Sequence, residues 1–446
     1  MSRRVVRQGM LTLADLSYRL ARPLIFRLSS AQEAHERMLA ALRWADGQRW
    51  LIPLLGRLRG LTLPPAPVSV GGVVLETPLI LAAGLVKGDG FASEDEALAA
   101  VNAGHNIMPG WRSIPALMGL VEFGSFTRWP RLGNPGVVTW RDVHTRSTQN
   151  RVGLRNPGAR AAAFFLAGRR DRLPRQFGIN VAVSPGVSDP QQQTDEVLES
   201  LRAFLAAGVI PTWFTLNLSC PNTEDDPRGH QTADEARQVC GAAIALLQEA
   251  AGGRESITAE GAEDTEKAQR DIASSSVHSP RLGVGAYGHT LPQIPSPRDA
   301  VARERGAGVR GFSERPAGRI PPLWVKVGPN LSDDQYRALL RVFAETGVRA
   351  VVATNTLPWP APDDPTLTAG VGGGRLFARA LEVVALLQAE RAAHGHPVDV
   401  IACGGVQDGA TFRSFAALGI AVMQYWTALV YRGPLAGALI AWEGGL

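Results

Sequence analysis

The sequence predicts an α/β protein: a closed (β/α)8 TIM barrel preceded by an N-terminal helical extension. Three observations carry this. From residue 66 to the end, short apolar runs that close in Gly, Asn or Thr clusters alternate with helical stretches. Eight such runs occur, at 79–83, 120–124, 177–181, 213–217, 323–327, 350–354, 400–403 and 422–425, which is the strand count of a closed barrel. With the segment 252–319 set aside, the remaining length suits one barrel.

The extension, residues 1–65, is expected to form short amphipathic helices. Leu16, Leu20, Leu24 and Leu28 recur at four-residue spacing, with Asp15, Arg19, Arg22 and Arg27 between them. Pro23 is expected to kink or divide that stretch. Ser30 followed by Glu33 is a capping box that opens a second helix running to about Trp44. Trp50, Leu51, Ile52, Leu54 and Leu55 then form an apolar cluster flanked by Arg49, Arg57 and Arg59. Two readings stand side by side: a helical cap packed on the barrel, or a pair of helices lying in a membrane interface with arginines at the headgroups.

The barrel region, 66–446, is interrupted at 252–319 by a stretch rich in Gly, Ser, Pro, Arg and Glu whose only aromatics are Tyr287 and Phe312. Such a composition cannot bury a core, so a disordered insertion is expected before the fifth strand. A partner-binding tail is the lesser alternative.

Charge and cysteine usage exclude several classes. The formal charge is +5 over 446 residues, yet residues 1–60 hold eleven arginines against four acids, a net +7. The rest of the chain is close to neutral, which disfavours a nucleic-acid channel through the barrel and suggests an anionic surface near the N-terminus. Cys220, Cys240 and Cys403 are too few and scattered for a disulfide framework or a zinc site, so no metal is expected. No apolar run approaches the length of a spanning helix.

Lysine is scarce. Among 46 bases only Lys87, Lys267 and Lys326 are lysine, and two of these stand at the ends of barrel strands. Active sites of such barrels lie at those ends, and the other ends give a consistent set. After strand one come Ala83 and Gly84, after strand two Thr127, and strand three closes at Asn180. Strand four runs into Asn217, Cys220 and Asn222, and strand six ends in Thr354-Asn355-Thr356. Gly404-Gly405 follows strand seven, Tyr425 and Thr427 follow strand eight, and Gly372-Gly373-Gly374 lies after strand six.

Each group has a chemical use. Glycine pairs before a helix bring backbone N–H groups close to phosphate, and two such loops late in a barrel suggest a mononucleotide cofactor; a lone Gly-Gly pair is more often a turn. Lys326, on an apolar strand, places a cation beside an electron-rich ring. Asn150, Asn217, Asn222 and Asn355 offer uncharged donors and acceptors to a planar ring with carbonyl and N–H edges, although any one asparagine is commonly a turn residue. Cys220, held between a strand end and Pro221, is the candidate for proton chemistry, whereas Cys240 and Cys403 read as small buried apolar residues.

Together these residues resemble the dihydroorotate dehydrogenase family, FMN enzymes that oxidise dihydroorotate to orotate in pyrimidine synthesis. The motifs are Pro78 to Lys87; Gly124-Ser125-Phe126-Thr127 with Gly133-Asn134-Pro135; Asn150 to Gly158, fitting N-R-x-G-x-x-N-x-G; Asn217 to Thr223; Ala353 to Thr356; and Tyr431 to Pro434, all in order. The resemblance implies FMN held by Ala83, Gly84, Lys87, Thr127, Asn180, Asn217, Lys326, Thr354, Gly373, Gly405, Tyr425 and Thr427. It implies substrate held by Lys87, Asn150, Asn217, Asn222, Asn355 and Thr356. Cys220 occupies the position of the catalytic base that takes the C5 proton while hydride passes from C6 to flavin N5, and Lys326 would stabilise negative charge on the reduced ring.

The N-terminal segment, with Tyr18 to Leu24 and Glu33-Ala34-His35, is similar to the membrane-associated, quinone-reducing class. That likeness implies quinone as acceptor and a peripheral place on the cytoplasmic side of the cell membrane. The chain departs from the class pattern in carrying Cys220 where serine is usual, and at Val86, Gly88, Ala182-Val183-Ser184 and Gly372. Three alternatives stay open: a tRNA dihydrouridine synthase, disfavoured by the neutral barrel; a relative acting on another dihydropyrimidine with a soluble acceptor; and a flavin-binding scaffold without turnover, which the retained Cys220 and Lys326 argue against.

Overall fold

The computed structural model describes residues 3–218, 232–251 and 320–446. Cys220, Asn222 and the 252–319 insertion lie outside the described residues. Three helices come first, α1 (Arg3–Leu28), α2 (Ala31–Gly47) and α3 (Leu51–Thr62). Helix α1 runs through Pro23 rather than dividing there. Pro23 is exposed, so the Arg19 carbonyl that loses its N–H partner can turn to water. Helix α2 opens on the expected capping box: Glu33 N donates to Ser30 Oγ at 3.1 Å and Ser30 N to the Glu33 carboxylate at 2.8 Å.

An antiparallel hairpin follows, β1 (Val68–Val70) and β2 (Val73–Leu75), and then the repeating units. The first half comprises β3 (Leu79–Leu81), α4 (Glu94–Asn102), α5 (Ser113–Met118), β4 (Leu120–Phe126), β5 (Thr139–Asp142), β6 (Ser147–Asn150), α6 (Ala159–Ala167), β7 (Gly178–Ala182), α7 (Pro190–Ala206), β8 (Trp213–Asn217) and α8 (233–251). The second comprises β9 (Leu323–Val327), α9 (Asp333–Thr346), β10 (Ala350–Ala353), β11 (Leu357–Pro360), β12 (Thr368–Gly373), α10 (Gly374–His394), β13 (Asp399–Cys403), α11 (Gly409–Ala416), β14 (Met423–Tyr425), α12 (Ala428–Arg432) and α13 (Ala436–Gly444). Strands β3, β4, β7, β8, β9, β10, β13 and β14 close into a barrel in that order, every pairing parallel. The eight expected strands are these eight, with ends shifted by a residue or two.

Side chains alternate between barrel interior and helix layer, as a period of two requires. Ile80, Leu120, Trp213, Trp324, Val352 and Ile401 share the interior cluster, while Leu79, Val121, Phe214, Val325 and Val351 pack outward under the helices. Trp213 and Trp324 stack inside with centroids 4.6 Å apart, and the β1–β2 hairpin plugs the floor beneath them. The Trp324 indole N–H donates to Gly71 O at 3.0 Å, and Gly71 N donates to the Asp399 carboxylate at 2.7 Å.

The Trp213 ring needs the bare backbone of Gly178 across the β7–β8 pair; a Cβ there would meet the indole at 2.3 Å. Gly178→Ala is expected to destabilise the fold by about 3 kcal/mol, the upper range for overpacking a buried site. Urea unfolding would measure it, and an unchanged midpoint would contradict this packing.

A second sheet, not anticipated from the sequence, has the order β11-β12-β6-β5 and is antiparallel throughout. The N-terminal helices dock on the barrel through specific polar contacts. Buried Asp46 accepts from Gly110 N at 2.7 Å, from Ser113 N at 2.9 Å and Ser113 Oγ at 2.7 Å, and from Asn106 Nδ2 at 2.9 Å, capping the start of α5. Arg7 donates to Thr62 O and to Leu446 O, both at 2.9 Å, and Arg432 bridges Asp15 and Glu443. Met1–Leu247 and Pro321–Leu446 form one compact unit.

Candidate active site

Among the described residues a cavity opens at the C-terminal ends of the barrel strands, enclosing about 1200 Å³ including its mouth. Its floor is polar. Lys326 stands on β9, 6% exposed, between Asn217 of β8 and Val352 of β10 in register, and its ammonium donates to Gln424 Oε1 at 3.1 Å. An apolar strand delivers this lysine because its stem packs among barrel side chains while the head points upward into the cavity.

One wall is a run of amides. Asn355 Nδ2 donates to Asn217 Oδ1 at 3.2 Å, Asn217 Nδ2 to Ser125 Oγ at 3.4 Å, and Thr356 N to Asn355 Oδ1 at 2.8 Å. These bonds fix which edge each amide presents. Asn150 and Thr148 reach the cavity from β6, and Lys87 enters from the loop after β3 beside Ala83 and Gly84. Thr354, Asn355 and Thr356 line it after β10.

The far end is built of backbone. Gly372 and Gly373 precede the long helix α10, and Gly404-Gly405 follows β13. The two loops touch: a Cβ on Gly405 would lie 3.1 Å from Gly373 O and 2.5 Å from Phe377 Cβ, at a positive φ of 78°. Gly373 sits at φ 90°, where a Cβ would strike Arg146 O at 2.6 Å. Thr427 closes this end, its hydroxyl 2.8 Å from that of Thr148. Tyr425 and Trp426 line the approach, and burial raises the Tyr425 phenol well above its ordinary value.

Two sequence-derived assignments fall elsewhere. Thr127 does not line this cavity. It is fully buried, donating to Trp129 O at 2.6 Å and accepting from Asn156 Nδ2 at 2.8 Å, so its hydroxyl is committed to the loop after β4; Ser125 takes the cavity position on that strand. Asn180 is also off the lining, fully buried, with both Oδ1 and Nδ2 unpaired among the described residues. Cys220 and Asn222 lie outside the described residues; Leu218, just before them, donates its N–H to Lys326 O at 3.2 Å, which anchors the strand that leads to them.

Sequence reasoning missed Gln407, Thr139 and Thr148 as lining residues. The threonines arrive on the second sheet, whose short polar strands carried no signal. Cys403, read as a small buried residue, borders the cavity and lies against Lys326; burial raises its thiol pKa, and the Lys326 cation opposes that rise.

His35 of α2 also reaches the mouth. Burial, then the nearby Lys87 and Arg155 cations, lowers its pKa from 6.5 to about 4, so the ring is neutral at pH 7. The unfolded chain therefore binds the extra proton between about pH 6.5 and 4, and stability is lost as pH falls through that window. His35→Gln is expected to flatten this limb of the melting temperature against pH; equal slopes in both proteins would contradict the burial.

The lining suits a phosphate-bearing planar cofactor. The touching glycine loops at a helix N-terminus are shaped for phosphate. Gln407 Oε1 and Thr356 Oγ1, on two residues that line the cavity, have no partner among the described residues, and a polar ring system would satisfy such groups.

Fold and site together define a (β/α)8-barrel enzyme whose cavity sets paired glycine loops beside a lysine and a row of amides. A family model described as dihydroorotate dehydrogenase matches residues 66–443, and the chain belongs to that flavin-dependent oxidoreductase family. It is similar to the dihydroorotate dehydrogenase (quinone) of Chloroflexus aurantiacus, 29% identical over 422 residues, covering 93% of this chain and 92% of that one. The corresponding protein of Gloeobacter violaceus is 28% identical over 419 residues, covering 94% and 90%. The solved structure of DHODH from Eimeria tenella in complex with ferulenol shares the fold, with TM-score 0.59 at 21% identity over 93% of this chain and 90% of that chain.

Proposed function

We propose that this chain oxidises dihydroorotate to orotate in pyrimidine biosynthesis, with FMN as its flavin and a membrane quinone as the final acceptor. The observation that carries the proposal is the meeting, in one cavity, of Lys326, the linked amides of Asn217 and Asn355, and the paired glycine loops. Bound FMN supplies the two-electron acceptor for the substrate hydride. Asn150, Asn217, Asn355 and Thr356, with Asn222, hold the pyrimidine ring and its carboxylate, and Lys87 adds a cation. Cys220 removes the C5 proton. A thiol with an ordinary pKa of ~8.5 needs little activation for that task. The Lys326 ammonium stabilises the charge that develops opposite the substrate.

The N-terminal segment 1–65 supports the quinone part. Leu16, Leu20, Leu24 and Leu28 form an exposed row along α1, Leu20 at 72% and Leu28 at 67%, with Trp44 on α2, Trp50 just before α3 and Leu54 on α3 also exposed. Among the described residues no helix is long and apolar enough to cross a membrane. An apolar row beside arginines suits a peripheral helix in the interface of anionic lipid, on the cytoplasmic side.

Because Asp46, Arg7 and Asp15 hold these helices to the barrel, substitutions on the exposed row separate membrane docking from folding better than truncation does. Leu20→Glu with Leu24→Glu is expected to weaken binding to anionic vesicles and quinone-linked turnover at least tenfold, from about 1.5–3 kcal/mol of lost burial per leucine, while dihydroorotate-driven flavin reduction holds. Equal quinone turnover in both proteins would remove the membrane role. Turnover with quinone, fumarate and NAD compared side by side tests the acceptor; quinone alone should sustain it, and a preference for fumarate or NAD would overturn that part.

A further inference from the structure

Below the cavity the barrel holds a buried charge that catalysis, as derived above, does not use. Glu122 lies within the otherwise apolar run of β4 and is fully buried inside the barrel. One carboxylate oxygen accepts from Gln424 Nε2 at 3.0 Å and the other faces the Trp213 indole N–H at 3.4 Å. Among the described residues both hydrogen-bond partners of this carboxylate are donors. Gln424 in turn presents Oε1 to the Lys326 ammonium at 3.1 Å. The chain of bonds therefore runs Trp213, Glu122, Gln424, Lys326, across strands β8, β4, β14 and β9.

The amide in the middle has no freedom to flip. Turned round, it would set Oε1 against the carboxylate and the Nε2 donors against the ammonium, two repulsive contacts in a low-dielectric interior. Glu122 thus orients Gln424, and Gln424 orients Lys326. The carboxylate also offsets a cation that would otherwise be buried without a counter-charge, a state in which lysines give up their proton. Among the described residues, Cys403 on β13 is the other titratable group in contact with Lys326, and its thiol is held neutral by burial.

We propose that Glu122 and Gln424 are positioning residues that keep Lys326 protonated and aimed into the cavity, and that they set the reduction equilibrium of the bound flavin through it. The part concerning the flavin rests on the function proposed above; the part concerning Lys326 does not.

The scarcity of lysine makes the test direct. In the full-length protein with ¹³Cε-labelled lysine, NMR should give three signals, from Lys87, Lys267 and Lys326, with Lys326 assigned by its loss in Lys326→Met. The wild-type Lys326 signal is expected to remain that of the charged form from pH 6 to 9.5. In Glu122→Gln its proton affinity should fall about a thousandfold, so that the amine is mostly neutral at pH 8.5, and Gln424→Met, which keeps both charges and removes only the bridge, should shift it the same way. Glu122→Asp should restore part of the effect. Should Glu122→Gln fail to fold, Gln424→Met carries the test alone.

At pH 8.5 the oxidised-to-reduced ratio of flavin held against a reference dye should rise at least tenfold in both variants, about 30 mV for a two-electron couple, and the difference should shrink at pH 6.5. A structural role alone would lower stability and leave both the Lys326 titration and the flavin ratio unmoved. That result overturns the proposal. A wild-type protein that binds no FMN would instead overturn the functional reading and leave the lysine titration standing.

Discussion

Lys326→Met is expected to slow dihydroorotate-driven flavin reduction by about 10²–10³-fold, the range for removing one well-placed charge-stabilising donor. Methionine keeps the length and apolar stem of lysine and removes only the ammonium, whose place is fixed by Gln424 at 3.1 Å. The substitution also removes the cation that Glu122 faces through Gln424, so the melting temperature is expected to fall as well. The rate must therefore be measured by stopped flow per mole of bound flavin, beside a melting curve. A lower melting temperature with an unchanged rate would make Lys326 a structural residue and nothing more.

The second large effect is at Cys220. Cys220→Ala is expected to reduce the same rate by about 10²–10⁴-fold, the usual worth of a positioned general base. Cys220→Ser should keep activity with its pH dependence displaced, because a hydroxyl starts far less acidic than a thiol and relies more on its neighbours for activation. Cys220 lies beyond the described end of β8, so its role rests on the motif from Asn217 to Thr223 and on the anchoring of Leu218 to Lys326. An alanine variant at full rate would move the base elsewhere.

The barrel was legible because its strands are apolar on both faces and end in a small set of polar residues, as parallel strands under helices must. Less legible was whatever depends on contacts between distant segments. Strand β6, Ser-Thr-Gln-Asn, has neither β-branched enrichment nor alternation, and only its pairing with β5 and β12 makes it a strand. Thr127 looked like a ligand residue because it ends a barrel strand, but Asn156, 29 residues on, takes its hydroxyl. Pro23 looked like a break, and the exposure of α1 removed the cost. Glu122 did carry a signal: a carboxylate inside Leu-Val-Glu-Phe is costly to bury unless it is paired. Its partner on β14 could be found only once the barrel had closed.

Anaerobic mixing of FMN-loaded protein with dihydroorotate tests the central claim most directly. The oxidised flavin absorbance should bleach within the time of a turnover, leaving one orotate for each flavin reduced. A flavin spectrum that stays unchanged at saturating dihydroorotate would contradict the assignment of this cavity to that reaction.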